Sequence, residues 1–323
     1  MNNIIKKTNN AKKCPIFDTV QHFLSDVLLN LIITIRGDMS ESSPSSAPPE
    51  SLKKKAGIKP WLIAVIAIVI VVALVAVVVM GGFLNSNTNV LDKVKKNGEI
   101  RIGTQVPYPP FEFYNSTSGN YEGIDMEIAQ KIADALNVTL KIVPMDFDPL
   151  FGAVQSGQID CAISSITITA LREKTVNFTT PYYIANQAVL VKDDSTITNL
   201  DGLNNTKIVA QLGTTGAIWA KENLIDTGRI QESQYTDLSD VAAAVQMVQN
   251  GQQDVFIVDT PVANRYAANT ADFDLKVAFV IQTNEQYGIC IQQNQNDLRD
   301  AINKVINDMK ADGSMEALLQ KWL

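Results

Sequence analysis

The chain has 323 residues, 46% hydrophobic and 19% charged, which suffices for two ordinary domains with a real core and excludes a disordered chain. Its formal net charge of −7 is unevenly spread: residues 1–61 carry nine Lys+Arg against five Asp+Glu, net +4, and residues 81–323 carry eighteen against twenty-nine, net −11. So acidic a C-terminal part argues against nucleic acid, or an anionic membrane surface, as a partner. Because the single histidine is His22, that part also has none for a catalytic triad or a His-ligated metal, and no cofactor or metal is expected.

In chain order, residues 1–58 read as a cytoplasmic leader without fixed structure. The run "FLSDVLLNLIITI" is too short, and too interrupted by Ser25, Asp26 and Asn30, to span a bilayer comfortably. Met39 opens the Ser/Pro-rich "MSESSPSSAPPESLKKK" and is the expected true start of translation. A membrane anchor is expected over residues 59–83. From Leu62 to Met80, "LIAVIAIVIVVALVAVVVM" runs nineteen residues without a charge, about 28 Å as a helix. Lys53, Lys54, Lys55 and Lys59 crowd its N-terminal flank, whereas the far side has no basic residue until Lys93, which places the N-terminus in the cytoplasm and the bulk of the chain outside the cell. Residues 84–88 form a linker.

Beyond the linker, strands and helices alternate. "EIRIGTQ" (99–105) reads as a strand; "GIDMEIAQKIADALNV" (123–138) carries Ile124, Ile128, Ile132 and Leu136 on one helical stripe; "TLKIVPM" follows as a strand. The segment "VQSGQIDCAIS" (154–164) then recurs as "VQNGQQDVFIV" (248–258). Each copy closes a helix at a glycine, Gly157 or Gly251, and opens an apolar strand after an aspartate, Asp160 or Asp254. A strand precedes each unit, "EIRIGTQ" in the first case and "TKIVAQLGTT" (206–215) in the second. Two similar α/β lobes built on parallel sheets follow from this pattern. Cys161 and Cys290 sit in strand-like apolar runs and read as two buried free thiols; Cys14 lies in the leader.

In open parallel sheets ligands bind beyond the carboxyl ends of the strands. That rule selects Thr104, Gln105 and Tyr108; Asp146 and Phe147; Ser164 to Thr167; Gly213 to Thr215; and Asp259. A free α-amino acid matches this set. Its carboxylate would take Arg172 and the first backbone N–H groups of the helix after "LGTTG". Its ammonium would take Asp259 and Thr167, and its side chain would lie between Tyr108 and Phe147. Thr169 reads as the cap of the next turn and Asp125 and Glu127 as charges favouring a helix N-terminus.

Residues 89–323 resemble the bacterial extracellular solute-binding proteins of family 3, the amino-acid receptors of ABC importers, and among them most of all the glutamine receptors. The resemblance rests on "GIDMEIAQKIADAL", "PMDF", "SITITALREK", "VDTP", "EQYGICI" and "LRDAINKVINDMKADGSMEALLQKWL", in that order. It implies an α/β, two-lobe type II periplasmic-binding-protein fold with two crossover hinges, preceded here by the one transmembrane helix. Lobe one would take residues 89–183 and 284–323, lobe two residues 184–283, with crossovers near Tyr182 and Gln282. It implies that Arg172 holds the ligand carboxylate, with Thr214 and Thr215 as N–H donors, and Asp259 the ammonium. Ser165 and Thr167 then fall on the ligand-contacting hydroxyl loop and Tyr108 and Phe147 on its aromatic positions. Gln105 stands where basic-amino-acid and glutamine receptors usually carry an aspartate, and Gln211 and Val258 replace polar or basic side chains near the ligand of glutamine receptors.

With neither an acid at Gln105 nor a base at Gln211, a polar neutral amino acid is the expected ligand, glutamine first; Asp148 is the residue that would recruit a basic one instead. The implied partners are the amino acid, separate permease subunits and the membrane, and the protein is expected to be a monomer. Two other readings use the same fold: a dehydratase-like enzyme, for which Asp148 and Glu112 are the nearby acids, and a ligand-sensing ectodomain of a signalling complex.

Overall fold

The computed structural model describes residues 89–323. The leader, the membrane segment and the linker, with His22 and Cys14, lie outside the described residues. Among those described, no helix is long and apolar enough to cross a membrane.

Asn89 opens the first helix, α1 (Val90–Asn97), by accepting the N–H groups of Leu91 and Asp92, and Gly98 ends it at φ 67°. Strand β1 (Glu99–Thr104) follows, then a short hairpin of β2 (Phe113–Asn115) and β3 (Asn120–Glu122), helix α2 (Ile124–Leu136), β4 (Thr139–Pro144), α3 (Pro149–Gln155) and β5 (Cys161–Ala162). Next come β6 (Val176–Phe178), β7 (Tyr183–Lys192), β8 (Ile208–Gln211), α4 (Thr215–Ala220), β9 (Tyr235–Leu238), α5 (Val241–Gln249) and β10 (Val255–Asp259). The chain finishes with α6 (Thr260–Ala268), β11 (Leu275–Tyr287), β12 (Cys290–Gln292), α7 (Asn296–Ala311) and α8 (Ser314–Trp322).

Two five-stranded sheets make two lobes, ordered β4-β1-β5-β12-β6 and β11-β7-β10-β8-β9. Each contains the expected parallel trio, β4-β1-β5 in one and β9-β8-β10 in the other. Neither sheet is wholly parallel, which corrects the expectation. In the first, β12 runs antiparallel to β5 and β6; in the second, β7 runs antiparallel to β10 and β11. The physical reason is that the chain passes between the lobes twice, from β6 to β7 and from β11 to β12, and a strand arriving from the other lobe enters from the opposite end.

The repeated aspartate has the same structural duty in both lobes. Asp160 accepts the Arg101 N–H at 2.9 Å and Asp254 accepts the Lys207 N–H at 2.7 Å, each binding the start of the neighbouring parallel strand. Arg101 also forks onto Asp160, with Nη2 2.6 Å from Oδ1 and Nε 3.1 Å from Oδ2. On α2 the predicted stripe holds: Ile124, Ile128 and Ile132 are fully buried, with Leu136 packed partly buried beside them. The two thiols lie in adjacent strands but enter different cores. Cys161 packs with Ile291, opposite it in the sheet, and Cys290 packs with Ala162, so they face away from each other. At the C-terminus, α7 packs on α1 and α2, while Lys321 and Trp322 of α8 both donate to Glu127.

Candidate functional site

The strand ends of both lobes meet at one small cavity, lined by Gln105, Tyr108, Phe147, Ser164, Ser165, Thr167, Arg172, Gln211, Thr214, Thr215 and Asp259. The ten residues to which a ligand contact was ascribed from the sequence are therefore brought together, whereas Thr104, Asp146 and Gly213, which the strand-end rule also selects, do not line the cavity. Gln105 and Tyr108 follow β1, Phe147 follows β4, and Ser165 and Thr167 follow β5; Gln211 closes β8, Thr214 and Thr215 open α4, and Asp259 closes β10. Asp146 and Asp148 are exposed and do not line the cavity.

Arg172 is nine-tenths buried, on a single 3₁₀ turn whose first N–H goes to Thr169 Oγ1 at 3.2 Å, so Thr169 is the cap expected of it. Its guanidinium lies over the rings of Phe147 and Phe151, 5.2 and 5.0 Å from their centroids. It donates to the Thr167 carbonyl at 2.6 Å and, across the cleft, to the Gly213 carbonyl at 3.0 Å. Gly213 holds φ +77°, and a Cβ there would lie 2.9 Å from Asp148 Oδ1, so the two lobes approach through a glycine. Burial lowers the Arg172 pKa to about 10, with the carboxylates of Glu285 and Asp259 opposing that shift; it stays a cation at neutral pH.

Asp259 faces Arg172 from the other lobe. Its Oδ2 accepts the hydroxyls of Tyr108, at 2.7 Å, and Tyr287, and its Oδ1 accepts the Gln187 amide. Burial, then the neighbouring Glu285, raise its pKa to about 6, against the pull of those three donors. Tyr108 thus belongs to the acidic end of the cleft, tied across it to Asp259, while Phe147 supports the guanidinium. Thr214 caps α4, accepting the Ala217 N–H and donating to the Gln211 carbonyl. The amides of Thr215 and Gly216 begin the helix and have no acceptor one turn earlier.

Several residues behind the cavity escape the strand-end rule. Glu285, on β11, accepts the hydroxyls of Thr167 at 2.7 Å and Thr215 at 2.5 Å and the Gln187 amide at 3.0 Å. A second carboxyl cluster underlies the hydroxyl loop. Asp125 is fully buried and, instead of serving its helix N-terminus, accepts the Ser165 N–H at 2.8 Å and the Tyr182 hydroxyl at 3.0 Å, holding Ser165 at φ 49°. Glu112 accepts the Ser164 hydroxyl at 2.7 Å, and Ser164 in turn accepts the Gln105 N–H. Burial and the charge of Asp125 push the Glu112 carboxyl well above the usual range. Their traces in the sequence are weak: Gln187 follows Asn186 at the head of the apolar "AVLV", and Glu285 lies in the polar run "QTNEQ", two before Tyr287 and on the same face of β11. Among the described residues, no cluster of His, Cys, Asp and Glu is placed to hold a metal ion.

Arranged so, the cavity offers a cation on one lobe and a carboxylate on the other, with neutral hydroxyl and amide groups between. Comparison with known proteins gives this arrangement its context. The chain is 31% identical to the L-cystine-binding protein TcyJ of Escherichia coli (strain K12), over 73% of this chain and 87% of that protein. It is 28% identical to the ABC transporter glutamine-binding protein GlnH of Bacillus subtilis (strain 168), over 74% and 86% respectively. The structure matches an amino acid ABC transporter substrate-binding protein from Streptococcus pneumoniae Canada MDR_19A bound to L-arginine, with a TM-score of 0.66 and 31% identity, covering 72% of this chain and 97% of that one. These relatives are solute-binding proteins, not enzymes, and the glutamine receptor does not stand out among them as the sequence motifs led us to expect. The model of the family described as bacterial extracellular solute-binding proteins, family 3, matches residues 100–323, and the chain belongs to that family.

Proposed function

We propose that the chain captures a free α-amino acid with a polar neutral side chain, glutamine first, between its two lobes and hands it to the permease of an ABC importer, held at the membrane by residues 62–80. The observation that carries this reading is the charge balance of the cavity. Arg172 and Asp259 are the charged side chains lining it, one from each lobe, and they match the two ends of a zwitterion. Gln105 and Gln211, buried at its edge, leave nothing to neutralise a charged ligand side chain there, whereas an amide can exchange hydrogen bonds with them. The names of the relatives, which bind cystine, glutamine and arginine, support the class of ligand and leave the side chain open.

A thermal-shift screen of the twenty amino acids and cystine tests this. A ligand at a hundred times its dissociation constant adds about 2.7 kcal/mol of stability, and L-glutamine should give the largest shift. Arginine or lysine ranked first, with the preference lost in Asp148→Asn, would overturn the choice of side chain. Turnover of a cyclic acid with no shift from any amino acid would favour the enzyme.

A further inference from the structure

Glu285 does not line the cavity, yet it touches two residues that do, one from each lobe: Thr167 beyond β5 and Thr215 at the start of α4. It is brought there by the second crossing strand. The pairing of β11 with β7 slips between Ile281 and Glu285, where Asn284 adopts φ 51° and the Asn186 side chain accepts the N–H groups of Thr283 and Asn284. Such a bulge re-aims the side chains beyond it. Here it turns Glu285 and Tyr287 inward and leaves Gln286 exposed between them.

The consequence lies in where the hydrogens are. A hydroxyl has one hydrogen to give, and a carboxylate has none. Thr167 and Thr215 both spend theirs on Glu285 Oε2, and Tyr108 spends its own on Asp259 Oδ2. Each of these three hydroxyls can then only accept from whatever enters the cavity. With Asp259 among them, these four side chains present acceptors alone.

We propose that Glu285 is a positioning residue that sets the polarity of the Thr167 and Thr215 hydroxyls and so makes the cleft select for a ligand ammonium, rejecting molecules that carry a hydrogen-bond acceptor or nothing in its place. This rests on the amino-acid reading above. An ammonium brings three N–H donors to that end; a 2-oxo acid brings a carbonyl oxygen facing oxygens, and a deaminated acid leaves the acceptors dry and unpaired.

The test is calorimetry on the intact chain with the amino acid among L-glutamine, L-arginine and L-cystine that binds best, and with its deaminated counterpart: glutaramic acid, 5-guanidinovaleric acid or 3,3′-dithiodipropionic acid. Glu285→Gln keeps the shape, but its amide can donate to one threonine and release that hydroxyl's hydrogen toward the ligand. Affinity for the amino acid should fall by about ten- to a hundredfold, as expected for hydrogen bonds to a charged group, and the preference for it over the deaminated acid should shrink. Thr215→Val, which removes one oriented acceptor and leaves the crossing strand intact, should shift the same ratio if Glu285→Gln does not fold. Equal losses for both ligands, with the ratio unchanged, would reduce Glu285 to a structural brace and overturn the inference. A wild-type chain that binds neither cystine nor any of the twenty amino acids would overturn the amino-acid reading itself and this inference with it.

Discussion

At the scale of single residues, Arg172 is the most consequential. Its guanidinium is desolvated over two phenylalanine rings and bonds carbonyls of both lobes, so a ligand carboxylate left without it would be buried and unpaired. We expect Arg172→Ala to weaken binding by several kcal/mol, with circular dichroism showing an intact fold; affinity within about threefold of wild type would show that the carboxylate is held elsewhere. Asp259 makes a second prediction. Its folded pKa is raised from 3.8 to about 6 by burial and by Glu285. The ionised form is therefore disfavoured in the empty fold, and its destabilising contribution, present above pH 6, is lost as pH falls toward 4. Binding runs the other way, because an ammonium needs Asp259 ionised. Calorimetry should find affinity falling as pH drops below about 6, while the Asp259 contribution to stability of the ligand-free protein rises over the same interval. A flat affinity from pH 7 to 4.5 would contradict the assignment. Most residues lining the cavity could be picked from the sequence because a parallel sheet exposes ligand-facing groups at its strand ends, and Arg172 because an amino-acid carboxylate calls for a guanidinium. Glu285, Gln187 and Tyr287 could not, since they reach the site from the interior of the crossing strands β7 and β11, where that rule does not look.

Among the elements, the hydroxyl loop after β5 shows how a functional segment is held in an unfavourable backbone. Ser165 sits at φ 49°, and what fixes it there is a buried carboxylate from the first turn of α2. Asp125→Ala would strip the Ser165 N–H and the Tyr182 hydroxyl of their acceptor. Urea denaturation should show a loss of about 2–4 kcal/mol; a loss below about 0.5 kcal/mol would mean that the loop is fixed by other contacts. Helix α2 itself was legible, as its stripe of isoleucines has one period and one face. The direction of the crossing strands was not. A run such as "YIANQAVLVK" announces a buried strand, but the sense in which it enters a sheet depends on the lobe it has just left.

For the whole molecule, the repeat of a helix, a glycine, an aspartate and a strand marks two lobes, and the structure explains why each copy keeps its aspartate. The cleft between the lobes is closed by bonds that cross it, from Arg172 to the Gly213 carbonyl and from Tyr108 to Asp259. A zwitterion bridging Arg172 and Asp259 would join the same two lobes, coupling ligand capture to closure. Both charged ends of the ligand are essential to that account, and both can be blocked chemically without altering the side chain. The most direct test is calorimetric titration of the intact chain with the amino acid that gives the largest thermal shift, with its N-acetyl derivative and with its α-carboxamide. The free amino acid should bind, and each blocked form should lose at least about a hundredfold in affinity, as when a partner of a buried charge is removed; a blocked derivative that binds as tightly as the free amino acid would contradict the two-ended grip.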